Sequence, residues 1–138
     1  MIKYFILSIF FVYFIQRLRP VKGLKKIKAI SFSYLLKDIP ANLKILDVRD
    51  QVDFYAGHIE GAFNISLGRL PFVKKQEIHV DDEIIIIADS KYQSKRAART
   101  LKKSGHHHLT YLQNGMSAYK KFQKNQQSYS KLQTCVCM

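Results

Sequence analysis

Residues 57–65 read Gly57-His58-Ile59-Glu60-Gly61-Ala62-Phe63-Asn64-Ile65. A turn carrying His58 and Glu60 leads into a short strand, read as Ala62–Ile65. Working backward, Leu46-Asp47-Val48-Arg49 closes an earlier strand over Lys44–Val48, and Asp50–Ala56 suits a helix. Working forward, Ile84-Ile85-Ile86-Ile87 is wholly β-branched. Such a run suits a central strand, Ile84–Ala88, buried on both faces. The remaining strands are read at Lys28–Ser31 and Thr110–Leu112. The remaining helices are read at Ser33–Lys37, Ser94–Lys103 and Met116–Gln123. Gly105 stands where a helix stop belongs, and Asn114-Gly115 is a turn signal. Short apolar runs alternating with helix-like stretches predict βαβ units and a parallel sheet.

Four pieces therefore follow one another in order. They are Leu46–Arg49, the 57–65 stretch, the Ile84–Ile87 strand with its loop and helix, and Tyr111-Leu112-Gln113-Asn114-Gly115-Met116-Ser117-Ala118-Tyr119. This order resembles the rhodanese family, including small single-domain members with an N-terminal membrane anchor. The resemblance covers about Ile27 to Phe122. It implies a rhodanese-like parallel sheet flanked by helices. It also implies an active loop that leaves the central strand and curls into the next helix N-terminus. Converging backbone N–H groups and the helix dipole make such a loop an anion site. In active members a cysteine opens the loop, and the site lowers its pKa so that it can carry sulfur as a persulfide.

This chain departs from that pattern. The family loop runs roughly C-x-x-G-x-R-S, with paired alanines in the helix beyond it. Anchoring on Ser94, Ala97 and Ala98 puts the cysteine position at Ala88. The loop then reads Ala88-Asp89-Ser90-Lys91-Tyr92-Gln93-Ser94. Lys91 stands where glycine would allow a left-handed backbone, and Gln93 replaces the anion-holding arginine. A one-residue shift would put Asp89 at the nucleophile position instead. Neither placement supplies a thiol. The function expected is a non-catalytic binding or regulatory module, a pseudoenzyme with a vestigial loop. The alternative is a sulfurtransferase using an unusual thiol from the tail, Cys135 or Cys137. Lys91, Ser90 and Ser94 could hold a small anion, while Asp89 opposes it. No cofactor is expected. His106-His107-His108 are not read as a metal site, because adjacent residues on an extended chain point in opposite directions. Asp47 with Arg49 reads as a structural ion pair or hydrogen bonds near the strand end, and His58 with Glu60 as turn hydrogen bonding.

The 138 residues suffice for one domain and a short extension. The 23 Lys and Arg against 10 Asp and Glu give a net charge of +13, which calls for a partner with negative charge. Much of that charge follows an apolar N-terminus, Met1–Ile15, whose single charge is Lys3. The expectation is a transmembrane anchor over residues 1–19 and a basic linker over 20–26. A rhodanese-like domain follows over 27–123, then a polar, loose tail over 124–138. The basic flank puts the domain in the cytoplasm, on a single-pass anchor at the cell membrane, against an anionic inner leaflet. No small-residue site for signal cleavage follows the apolar run. Nucleic acid is not expected as a partner, since basic and aromatic residues are not interleaved on any platform. An unidentified protein partner is. The two cysteines, both at the C-terminus, imply no disulfide framework.

Overall fold

The computed structural model describes residues 1–72 and 78–136, with the side chains of 17, 18 and 132–136 left aside. Five strands form one all-parallel sheet: β1 (Lys25–Ile27), β2 (Leu43–Asp47), β3 (Ala62–Asn64), β4 (Glu83–Ile87) and β5 (Leu109–Leu112). Their order across the sheet is β1-β5-β4-β2-β3. The helices are α1 (Ile2–Leu18), α2 (Ala29–Leu35), α3 (Gln51–Tyr55), α4 (Lys91–Lys103) and α5 (Gly115–Val136), with one 3-10 turn at Leu70–Phe72.

The isoleucine run explains the layering. Successive side chains on a strand point to opposite faces. Ile84 and Ile86 therefore join Leu46, Ala97, Ala98 and Leu101 on the α4 side. Ile85 and Ile87 join Phe32, Ile45, Met116 and Tyr119 on the α2 and α5 side. Both faces are covered, as an all-parallel sheet requires. Helix α4 ends where Gly105 was expected to stop it. Gly105 has φ +98, its N–H meets the Lys102 carbonyl at 3.0 Å, and the His106 N–H meets that of Leu101 at 3.1 Å. This pair of bonds closes the helix in a Schellman motif.

The largest correction concerns the N-terminus. Among the described residues, no helix is long and apolar enough to cross a membrane. Helix α1 has 17 residues, about 25 Å at about 1.5 Å per residue. A hydrocarbon core is about 30 Å thick, so the expected transmembrane helix is overturned.

Three local expectations also change. Lys28–Ser31, read as a strand, belongs largely to α2. The first strand is Lys25–Ile27, whose first two residues lie in the stretch read as linker. The expected loose tail beyond Gln123 is instead a continuation of α5 to Val136.

Candidate functional site

Strands β2 and β4 lie side by side, in register from Leu43 and Glu83 to Asp47 and Ile87. Their C-terminal ends therefore deliver Asp47, Arg49 and the loop after Ile87 to one edge of the sheet. Arg49 grips Asp47 through three side-chain hydrogen bonds: Nη2 donates to Oδ2 at 2.7 Å, and Nε donates to Oδ1 at 3.0 Å and Oδ2 at 3.1 Å. The Arg49 backbone N–H adds a fourth bond, to Oδ1 at 3.0 Å. Both side chains are almost wholly buried, 3% and 1% exposed. The 57–65 stretch completes this clamp. The Gly57 carbonyl accepts from Arg49 Nη2 at 2.9 Å. Asn64 Nδ2 donates to the carbonyls of Asp47 at 3.0 Å and Arg49 at 2.9 Å. Burial alone would lower the Arg49 pKa, but hydrogen bonding and attraction to Asp47 outweigh it and raise the value. The sequence suggested the ion pair; Asn64 and the Gly57 carbonyl carried no signal that singled them out.

The loop itself is short. Ala88 follows β4 directly and is fully buried. Ser90 caps α4, its Oγ accepting from the Gln93 N–H at 3.2 Å. Gln93 Oε1 turns back to accept the Asp89 N–H at 3.1 Å. Ser94 is buried, with its hydroxyl on the Ser90 carbonyl at 3.2 Å. The side chains of Ser90 and Gln93 thus each occupy one backbone N–H, those of Gln93 and Asp89. Lys91 is the first residue of α4. Among described residues other than glycine, Asn114 alone has positive φ. The expected left-handed backbone at Lys91 is therefore absent, and lysine sits there without strain. Asp89 is exposed. Partial loss of hydration raises its carboxyl pKa, and the charges of Asp53 and Asp47 raise it further against the pull of Arg49 and Lys120.

A second element closes the loop from outside. Gly115, at φ +61, lies so close that a Cβ there would overlap the Ala88 carbonyl oxygen. That oxygen accepts the Met116 N–H at 3.3 Å. The sequence marked Asn114-Gly115 only as a turn. Helix α5 then carries Cys135 away, about 30 Å along the axis for twenty residues. Cys137 lies outside the described residues.

The other flagged residues stay apart from the loop. His58 stacks on Phe54 with ring centroids 4.0 Å apart, and its Nδ1 lies 3.0 Å from the Phe54 carbonyl. His106 is buried, whereas His107 and His108 are exposed. Among the described residues no three His, Cys, Asp or Glu side chains are grouped to share a metal ion. A recess of about 540 Å³ is lined in part by His58, Glu60, Tyr119 and Gln123. One of about 150 Å³ lies at the opposite edge of the sheet, beside Lys25, Glu83 and His108. Neither recess includes a loop residue.

The sequence profile of the rhodanese-like domain matches residues 31–122, most of the chain. The chain belongs to the rhodanese-like domain family. Two Bacillus subtilis proteins are similar to this rhodanese-like chain. One, named "Putative sulfur carrier protein YrkF", is 41% identical over 68 residues, covering 49% of this chain and 36% of YrkF. The other, YqhL, is 37% identical over 79 residues, covering 57% of this chain and 60% of YqhL. The alignments thus span between about a third and three-fifths of these relatives. Among solved structures, the Anabaena protein Alr3790 superposes with a TM-score of 0.65 at 25% identity, over 70% of this chain and 77% of that one. The single-domain sulfurtransferase RDL2 of Saccharomyces cerevisiae gives 0.65 at 14% identity, over 75% and 94%. At that identity the likeness is one of fold.

Proposed function

We propose that this rhodanese-like domain is a binding or regulatory module that has lost sulfur transfer, engaging a protein partner through the edge of the sheet that carries the loop. One observation carries the reading: the residue that opens the loop is Ala88, a buried methyl with neither thiol nor hydroxyl. A persulfide needs a thiolate, and a methyl group cannot form one. The hydrogen bonds that Gln93 and Ser90 accept point the same way, since they commit two backbone N–H groups, those of Asp89 and Gln93, to the loop's own side chains.

A sulfur-carrying role, suggested by the name of YrkF, is the second reading. It would need a thiol brought from elsewhere, and α5 carries Cys135 away from the loop. The test is thiocyanate formation from thiosulfate and cyanide by the full chain. The expected result is none above the uncatalysed rate. Activity that disappears on Cys135→Ser or Cys137→Ser would establish the second reading instead. Ala88→Cys alone should stay near background, because its thiol would be buried beside Asp89, whose negative charge opposes a thiolate.

A further inference from the structure

Helix α4 carries six basic residues and no acidic one; residues 16–28 likewise carry only positive charge. The fold joins the two segments. Arg99 Nη2 donates to the Arg19 carbonyl at 2.8 Å, and Lys102 Nζ donates to the Lys22 carbonyl. Val21 and Leu24 pack against the core on the α4 side. Lys26 pairs in register with Tyr111, which also packs on that side. Residues paired across neighbouring strands share a face, so Lys26 faces the same way as α4. Arg19, Lys22, Lys26, Lys91, Arg96 and Lys103 are all exposed. Two segments far apart in the chain therefore build one cationic face.

Helix α1 leads directly into this face, ending one residue before Arg19. Its large apolar side chains from Ile2 to Ile15 are all 41–79% exposed. We propose that the α4–linker face, together with α1, binds one surface of a bilayer rich in anionic phospholipid. The basic groups meet the headgroups and α1 enters the adjoining acyl region of the same leaflet, without crossing it. Charge complementarity alone would also suit a nucleic acid. A nucleic acid, however, would leave the apolar surface of α1 in water, whereas a lipid surface takes up both parts. Durable membrane contact needs two such signals, an apolar insertion and a polybasic patch. This inference does not depend on whether the loop transfers sulfur.

The experiment is co-sedimentation of the full chain with vesicles of phosphatidylcholine, with and without phosphatidylglycerol, at low and high salt. Anionic lipid should tighten binding at least tenfold, and salt should erase that gain, because exposed charges are screened. Each basic residue near the surface is worth about fivefold. The triple variant Lys22→Glu, Arg96→Glu, Lys103→Glu should therefore lose the anionic preference while retaining its binding to phosphatidylcholine. The matching glutamine variant, with an unchanged melting temperature, should show an intermediate loss and so exclude misfolding as the cause. Equal binding to both lipids, wild-type behaviour of both triple variants, or displacement from anionic vesicles by duplex DNA would each overturn the proposal.

Discussion

At the scale of single residues, the buried Asp47–Arg49 pair is the costliest feature to disturb. Removing one partner strands a charge away from water and costs about 3–5 kcal/mol, while replacing both by apolar groups is often close to neutral. Arg49→Met should therefore lower stability to urea by about 3–5 kcal/mol, and Asp47→Leu added to it should restore most of the loss. If the single variant stayed within about 1 kcal/mol of wild type, the pair would not be the closed unit its geometry describes. Asp89 gives a prediction with a pH signature. Its carboxyl is pushed above the ordinary range by lost hydration and by Asp53 and Asp47, so the folded state holds that proton more tightly than the unfolded chain. Stability from this group falls as pH rises from the unfolded value, about 3.9, through the folded one. Asp89→Asn should raise the melting temperature at neutral pH, and the gain should vanish in acid below the carboxylate range. A gain of equal size at both pH values would mean the effect is not electrostatic. The absence of a loop thiol was legible from the letters at 88–94. The ease of Lys91 was not, because it depends on α4 beginning one residue after Ser90.

At the scale of elements, the contact between α5 and the loop makes a sharp test. Gly115 and Gly61 both have positive φ, +61 and +77. Alanine at either site meets the left-handed cost of about 1–2 kcal/mol. Only at Gly115 does the new Cβ also overlap a backbone oxygen, whereas at Gly61 nothing lies within 4 Å. Gly115→Ala should destabilise by clearly more than Gly61→Ala in chemical unfolding, and equal losses would show that the helix start moves freely. The strands β2 to β5 were readable to within a residue or so, because β-branched and apolar runs mark buried strands. Two elements were not. The strand Lys25–Ile27 has three residues, two of them lysine, too short and polar to show a pattern. The stretch Lys124–Lys131 of α5 is mainly Lys, Asn, Gln and Ser, and all of it is exposed. It reads as a tail, yet no glycine or proline from 116 to 136 interrupts a helix.

At the scale of the whole molecule, α1 stands outside the two cores, none of its described side chains, those of residues 2–16, belonging to either. Deleting residues 1–18 should therefore shift the melting temperature by less than about 4 °C, the change roughly 1 kcal/mol produces in a domain of this size. A larger fall would show that α1 is structural. The apolar character of this segment was legible in the sequence. Its failure to span was not, because the segment read over 1–19 lies close to the shortest length that crosses a bilayer, and the helix, Ile2–Leu18, is two residues shorter. The order of the sheet carries a separate consequence, for colloidal behaviour. Both rims, β1 and β3, are three residues long, and β1 presents Lys25 and Lys26. A rim this short offers few free N–H and C=O groups to a foreign strand, and like charges on a second copy repel. Crowded copies of this chain should therefore resist zipping into fibrils edge to edge.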